Sequence, residues 1–186
     1  MKKLAILIFS FLILSTLAKA EFVDEVRVEG YGLGDSLLDY FSQKEINKFI
    51  KDKENRLEEG YYLKEITTNS EKKKFEQYDR LGIVYKKEEK YPIHGLLAQA
   101  DLDVNNEECA EIQKEIVSAL QEAFPKSKTT RDYANRMAKA EIANKIYEIK
   151  FWGGYTFIFD TPSKGCTIHF LMMSENFAIK FFYNKF

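Results

Sequence analysis

Apolar and polar positions along this chain change period several times, and the changes divide it into elements. Residues 22–28 are a short extended arm, and Gly30, Gly32 and Gly34 then make a flexible loop. Ser36-Leu37-Leu38-Asp39 and Ser42-Gln43-Lys44-Glu45 both have the Ser-x-x-acid form of a capping box, in which serine and acid satisfy each other's exposed amides. They predict a helical turn at 35–40 and a helix from Gln43 to about Arg56. Ile46, Phe49, Ile50 and Leu57 recur at helical spacing, so one narrow face of that helix is buried.

The period then shortens to two. Tyr61–Ile66, Phe75–Lys87 and Ile93–Leu102 read as three strands joined by polar turns. Leu81, Ile83 and Tyr85 alternate in the second; His94, Leu96, Ala98, Ala100 and Leu102 share one face of the third. Asn105 or Asn106 caps a second helix, with Cys109, Ile112, Ile116, Ala119, Leu120 and Ala123 on its buried stripe and Pro125 as its stop. Residues 126–143 read as a polar loop leading into an Ala-rich helical turn. From Asn144 onward four strands are expected, over Tyr147–Phe151, Tyr155–Phe159, Cys166–Met172 and Phe177–Tyr183. Gly153-Gly154 marks the first hairpin and Thr161–Gly165 the second turn. The fold class is therefore α+β: a three-strand N-terminal and a four-strand C-terminal antiparallel meander with two main amphipathic helices. Phe151, Phe157, Phe159, Phe170 and Phe181 are assigned to its core.

The N-terminus follows a different pattern. Met1-Lys2-Lys3 precedes an apolar run from Leu4 to Leu17, and Ala18-Lys19-Ala20 has the small-x-small form that signal peptidase cuts. The expectation is a signal peptide over residues 1–20, cleaved between Ala20 and Glu21, and a single mature domain over 21–186. Fourteen residues are short for a bilayer core of about 30 Å, and Glu21, Asp24 and Glu25 follow at once, which disfavours a permanent anchor.

Export gives the two cysteines their meaning. Cys109 and Cys166 are the only pair in 186 residues, and oxidising compartments favour a bond between them. Cys109 lies on a buried helix stripe and Cys166 on an apolar strand face, so a helix-to-sheet disulfide is expected.

Charge removes several functional classes. There are 28 basic and 29 acidic residues; cleavage removes Lys2, Lys3 and Lys19 and leaves a net charge of −4. No basic patch for nucleic acid is expected from that balance. Lys72-Lys73-Lys74 and Lys86-Lys87 read as solvated turns that also discourage edge pairing. The aromatic C-terminus ending in Phe186 has some likeness to the last strand of an outer-membrane barrel, but two amphipathic helices precede it.

Gly34-Asp35-Ser36-Leu37 resembles the nucleophile block of the Gly-Asp-Ser-Leu hydrolases, secreted esterases in which that serine attacks an acyl carbonyl. The resemblance covers these four residues and implies Ser36 as nucleophile. The family's Asp-x-x-His would place an aspartate where this chain has Cys166, three before His169, and its Gly-x-Asn-Asp block has no counterpart. A serine hydroxyl without a base is a weak nucleophile, and Asp35 and Ser36 also serve as helix caps after a glycine turn. Gly30, Gly32 and Gly34 lack the Lys-Ser or Lys-Thr of a phosphate loop. His94 and His169 are the only histidines, and both are expected to be packing residues. Cys166 and His169 have ligand-like spacing, but residues three apart on a strand face opposite ways. Asp101-Leu102-Asp103-Val104-Asn105 begins like a calcium loop, yet Asn106 and Ile112 stand where that loop needs glycine and glutamate.

The functional expectation follows. The chain reads as a small, soluble, periplasmic or secreted bacterial envelope protein with no cofactor and no metal. Its leading role is non-catalytic binding of an envelope protein or a small ligand, with no nucleic acid. The alternatives are an esterase using Ser36 and a structural or chaperone-like role.

Overall fold

The computed structural model describes residues 27–52, 55–57, 60–67, 75, 78–123, 125, 127–130, 146–151, 154–160 and 166–180; at 123, 129, 130, 146–151, 157 and 160 it describes the backbone. The signal segment with Ala20 and Glu21, the 161–165 turn and residues 181–186 lie outside the described residues, as do the side chains of Phe151, Phe157 and Phe181.

The glycine stretch is a hairpin rather than a flexible loop. β1 (Arg27–Val28) pairs antiparallel with β2 (Tyr31–Gly32). Between them Glu29 and Gly30 hold φ of 51° and 86°, the two left-handed positions that match a tight turn to strand twist. Val28, Tyr31 and Leu33 are buried, and that burial fixes the segment. A 3-10 turn at Leu37–Asp39 follows, capped by Ser36.

α1 (Gln43–Lys51) has both halves of the Ser42–Glu45 capping box. It stops short of Arg56: Asp52 is already extended, Arg56 bridges to Tyr62, and the Leu57 amide donates to the Tyr61 carbonyl at 2.9 Å. Leu57 therefore leaves the helix stripe and joins a cluster on the sheet.

Among the described residues the remaining strands form one seven-stranded antiparallel sheet. β3 (Tyr61–Thr67), β4 (Arg80–Lys86) and β5 (Ile93–Leu102) make the first meander. β6 (Lys128–Thr130), β7 (Ile146–Phe151), β8 (Gly154–Asp160) and β9 (Cys166–Ser174) make the second. The spatial order is β3-β4-β5-β9-β8-β7-β6. The seam is β5 against β9, running from Gly95 opposite Met173 to Leu102 opposite Cys166.

The last expected strand, Phe177–Tyr183, is corrected over its described part. Glu175–Ala178 is a short helix, α3. Both edges of β9 are already taken, by β5 and β8, so the chain leaving it has no neighbouring edge to join. It turns instead, and Phe177 and Ala178 bury against Tyr61, Val84, Tyr155 and Met173. The fourth strand of the second meander is β6, in the segment read as loop and helical turn.

The sheet carries its main cover on one face, and α3 covers one end of the other. On the first, α1 and the N-terminal hairpin join β3–β5 in one cluster containing Tyr31, Leu37, Ile46, Ile83 and Leu96. Each fully buried Leu or Ile contributes about 1.5–3 kcal/mol. On the same face α2 (Asn106–Ala123) packs against β8 and β9. Asn105 caps it, its Oδ1 accepting from the amides of Glu107 and Glu108 at 3.0 Å each. Cys109 and Cys166 are bonded, with their Cα atoms 5.5 Å apart and each residue 2% exposed, so the expected helix-to-sheet disulfide is present. The fully buried positions of α2 are Cys109, Gln113, Val117 and Leu120, with Ile112 and Ile116 only partly covered. The stripe is thus rotated from the expected one, and it carries a glutamine.

Candidate functional site

Two places bring chemistry-bearing side chains together, and a third layer buries two polar ones. The first is the Gly-Asp-Ser-Leu loop. The Gly34 amide donates to the Ile93 carbonyl at 2.8 Å and the Ile93 amide to the Asp35 carbonyl at 2.9 Å, stitching the loop to the start of β5. Ser36 Oγ donates to the Lys90 carbonyl at 2.6 Å and accepts from the Leu38 amide at 3.2 Å. Asp35 accepts from Arg27 at 2.7 Å, from the Gly32 amide at 2.9 Å and from the Tyr40 hydroxyl. Burial works against its charge, but the hydrogen bonds from Tyr40, Arg27 and Gly32 outweigh it and hold the carboxyl below the ordinary aspartate value. The serine and aspartate thus cap and tie down the hairpin.

The second place is the end of the sheet where β3 begins and β9 ends. A register shift between Val84 and Tyr85 leaves Ile93 opposite Tyr85 and Gly95 opposite Val84, so His94 is the extra residue of a bulge. Ile93 rather than His94 enters the first-face core, and the His94 ring turns to meet Tyr61 edge-on at 5.3 Å. That corrects the expected placement of His94 beside Leu96 and Ala98. His94 Nδ1 lies 3.1 Å from Ser174 Oγ, a hydroxyl that makes no local cap for α3. Burial pushes the imidazole below its usual value; Glu88 opposes this and Lys86 adds to it. The pair is a serine beside a neutral histidine, and His94 Nε2 is buried with no hydrogen-bond partner among the described residues. Among the described residues no carboxylate hydrogen-bonds to the ring to orient it, as the histidine that activates a serine requires. No local pattern announces this pair, because its residues lie 80 apart.

His169 is elsewhere, stacked on Phe159 at 4.7 Å on the second face, while Cys166 is in its disulfide on the first. Asp101 accepts from the Gln99 side-chain Nε2 at 3.1 Å and from the Thr167 hydroxyl at 2.8 Å, and its backbone amide donates to Asp79 at 2.8 Å. Asp103 is exposed. Among the described residues no three His, Cys, Asp or Glu side chains converge as a metal site, and no helix is long and apolar enough to cross a membrane.

The third place is the layer between α2 and the sheet. Gln113 and Thr156 are both 0% exposed and are the buried polar or charged residues among those described. Thr156 lies directly opposite Met172, which faces α2's side of the sheet with Ile168 and Phe170. Neither amide atom of Gln113 nor the Thr156 hydroxyl has a hydrogen-bond partner among the described residues. Sequence reasoning passed over Gln113 because it is polar; its position four after Cys109 and four before Val117 was the available signal.

Comparison with protein-family profiles, with curated proteins and with solved structures finds no match to this chain.

Proposed function

We propose that the protein is an exported, disulfide-bonded binding module of the cell envelope that acts on an envelope protein or a small ligand without covalent chemistry of its own. The observation that carries this reading is the Cys109–Cys166 bond, buried at the junction of α2 and β9. Such bonds persist in oxidising compartments, which agrees with the signal-like segment ahead of Glu21. Binding is favoured over esterolysis because the Ser36 hydroxyl is engaged with Lys90 and Leu38, and Asp35 with Arg27, Tyr40 and Gly32.

The test is native intact-mass spectrometry of unreduced protein purified from the compartment to which it is exported. The expected mass starts at Glu21 and lacks two thiol hydrogens. An uncleaved or reduced chain would overturn the compartment argument. Labelling of Ser36 by a serine-directed phosphonate, abolished by Ser36→Ala, would replace binding with the esterase alternative.

A further inference from the structure

The large sheet consists of two meanders, and among the described residues one strand ladder joins them. β5 and β9 are paired from Gly95 opposite Met173 to Leu102 opposite Cys166. Leu96 and Ala98 of β5 share one core cluster with Ile168, Phe170 and Met172 of β9, so neither meander buries its first face without the other. An opened chain therefore has two ways to close, on its own second meander or on that of another copy, with the same residues in contact either way. The disulfide bears on that choice through its position. Cys166 is the residue opposite Leu102, and Cys109 follows Leu102 by seven places in the chain. Through the bond, the end of β5 is tied to the start of β9 by those seven residues. Without it the tether is the 64 residues from Leu102 to Cys166.

We propose that the Cys109–Cys166 bond is a latch against strand exchange, and that the β5 edge it guards is a self-association surface whose partner, when the bond is open, is β9 of a second copy of this chain. The chance that the two ends of a flexible tether meet falls as about the −3/2 power of its length. Lengthening the tether from seven residues to 64 thus lowers the effective concentration of β9 at its own β5 about 30-fold, while that of a second copy is unchanged. The hinge for exchange is 103–105, which joins β5 to α2. α2 packs against β8 and β9 and so travels with the second meander. Opening the latch takes a dithiol reductant, which becomes a disulfide as the Cys109 and Cys166 sulfurs gain its two electrons and two protons.

The experiment refolds the full mature chain from guanidinium at matched protein concentrations up to about 1 mM. Three forms are compared: oxidised wild type with the bond intact, wild type kept reduced by a dithiol, and Cys109→Ala/Cys166→Ala. Size exclusion with light scattering reads the products, and circular dichroism confirms that they are folded. The ratio of dimer to monomer is expected to rise about 30-fold in both bond-free forms. Reduced wild type keeps both sulfurs, so it decides the outcome if the double variant does not fold. A cross-link then locates the exchange. In the double variant, Asp101→Cys is placed on one chain and Thr167→Cys on another; the two residues are opposite in β5 and β9. After mixed refolding and oxidation, the bond between them is expected to join two chains, because β9 of one lies on β5 of the other. Ratios within about threefold of the oxidised wild type overturn the latch. So does a chain that folds in neither bond-free form, since the bond is then a condition of folding. A dimer lacking the Asp101→Cys to Thr167→Cys cross-link overturns the β5 edge as the surface.

Discussion

Breaking the Cys109–Cys166 bond is the perturbation whose size follows most directly from the structure. The bond closes a loop of 57 residues. In the chain-entropy account a cross-link over that span restricts the unfolded chain by about 4 kcal/mol. Both residues are 2% exposed, so the bond lies inside the packed junction of α2 with β9. For a domain of this size 1 kcal/mol moves the melting temperature by roughly 2–4 °C, so losing the bond lowers it by roughly 8–16 °C. The assay is thermal unfolding by circular dichroism of the oxidised protein, the reduced protein and the Cys109→Ala/Cys166→Ala double variant. Reduction isolates the entropic share, since both sulfurs remain in place; the double variant adds a smaller packing loss. A second expectation follows from burial. Reductant reaches the bond only when α2 lifts, so reduction of the native protein is slow and accelerates in mild denaturant. A drop under about 3 °C in the reduced protein, or reduction as fast as that of the unfolded chain, would refute the reasoning.

Other outcomes follow from single hydrogen-bonded groups. Ser36→Ala removes the bonds to Lys90 and Leu38 and is expected to cost about 1–2 kcal/mol in a urea titration, with no change in phosphonate labelling of the protein. Asn105→Ala uncaps α2 and is expected to cost about 1 kcal/mol by the same measurement. His94 has its folded pKa depressed, chiefly by burial, so the unfolded chain takes up its proton first. Stability falls as pH drops below about 6.5, the unfolded value, and levels off below the folded one; His94→Gln is expected to flatten that part of the stability curve. Asp35 has its folded pKa depressed as well, by the bonds from Tyr40, Arg27 and Gly32 outweighing burial. Its contribution is present above about 3.9, the unfolded value, and is lost as pH falls through the folded one, so Asp35→Asn is expected to lessen the acid-side loss in a pH series of melting curves.

Local chemistry was legible in the sequence wherever neighbours in the chain decide the outcome. The Ser42–Glu45 box, the Asn105 cap and the alternation in β4, β5 and β9 depend on residues a few places apart. The Cys109–Cys166 bond was legible for another reason, since two cysteines admit one pairing. What stayed hidden depends on neighbours across the fold. Phe177 and Ala178 have the composition of a strand, but β9 has no open edge to receive one. His94 follows its strand's alternation on paper, and the bulge opposite Tyr85 turns it away. Gln113 has a polar side chain at a buried helical position, which periodicity of apolar residues passes over. The His94–Ser174 pair was the least legible part, because it joins residues 80 apart through a bulge that alternation does not show.

The seam between β5 and β9 also sets a timetable for folding. β5 ends at Leu102 and its inner neighbour begins at Cys166, so as the chain emerges in order, the first meander is complete with one long edge bare. That edge carries alternating apolar residues over ten positions and is closed only when β9 arrives. Contacts of such separation slow folding and leave an unpaired strand exposed while they form. The half-made sheet is therefore the form of this protein most prone to pair with another chain, and a holding factor that protects it has to occupy the edge of β5.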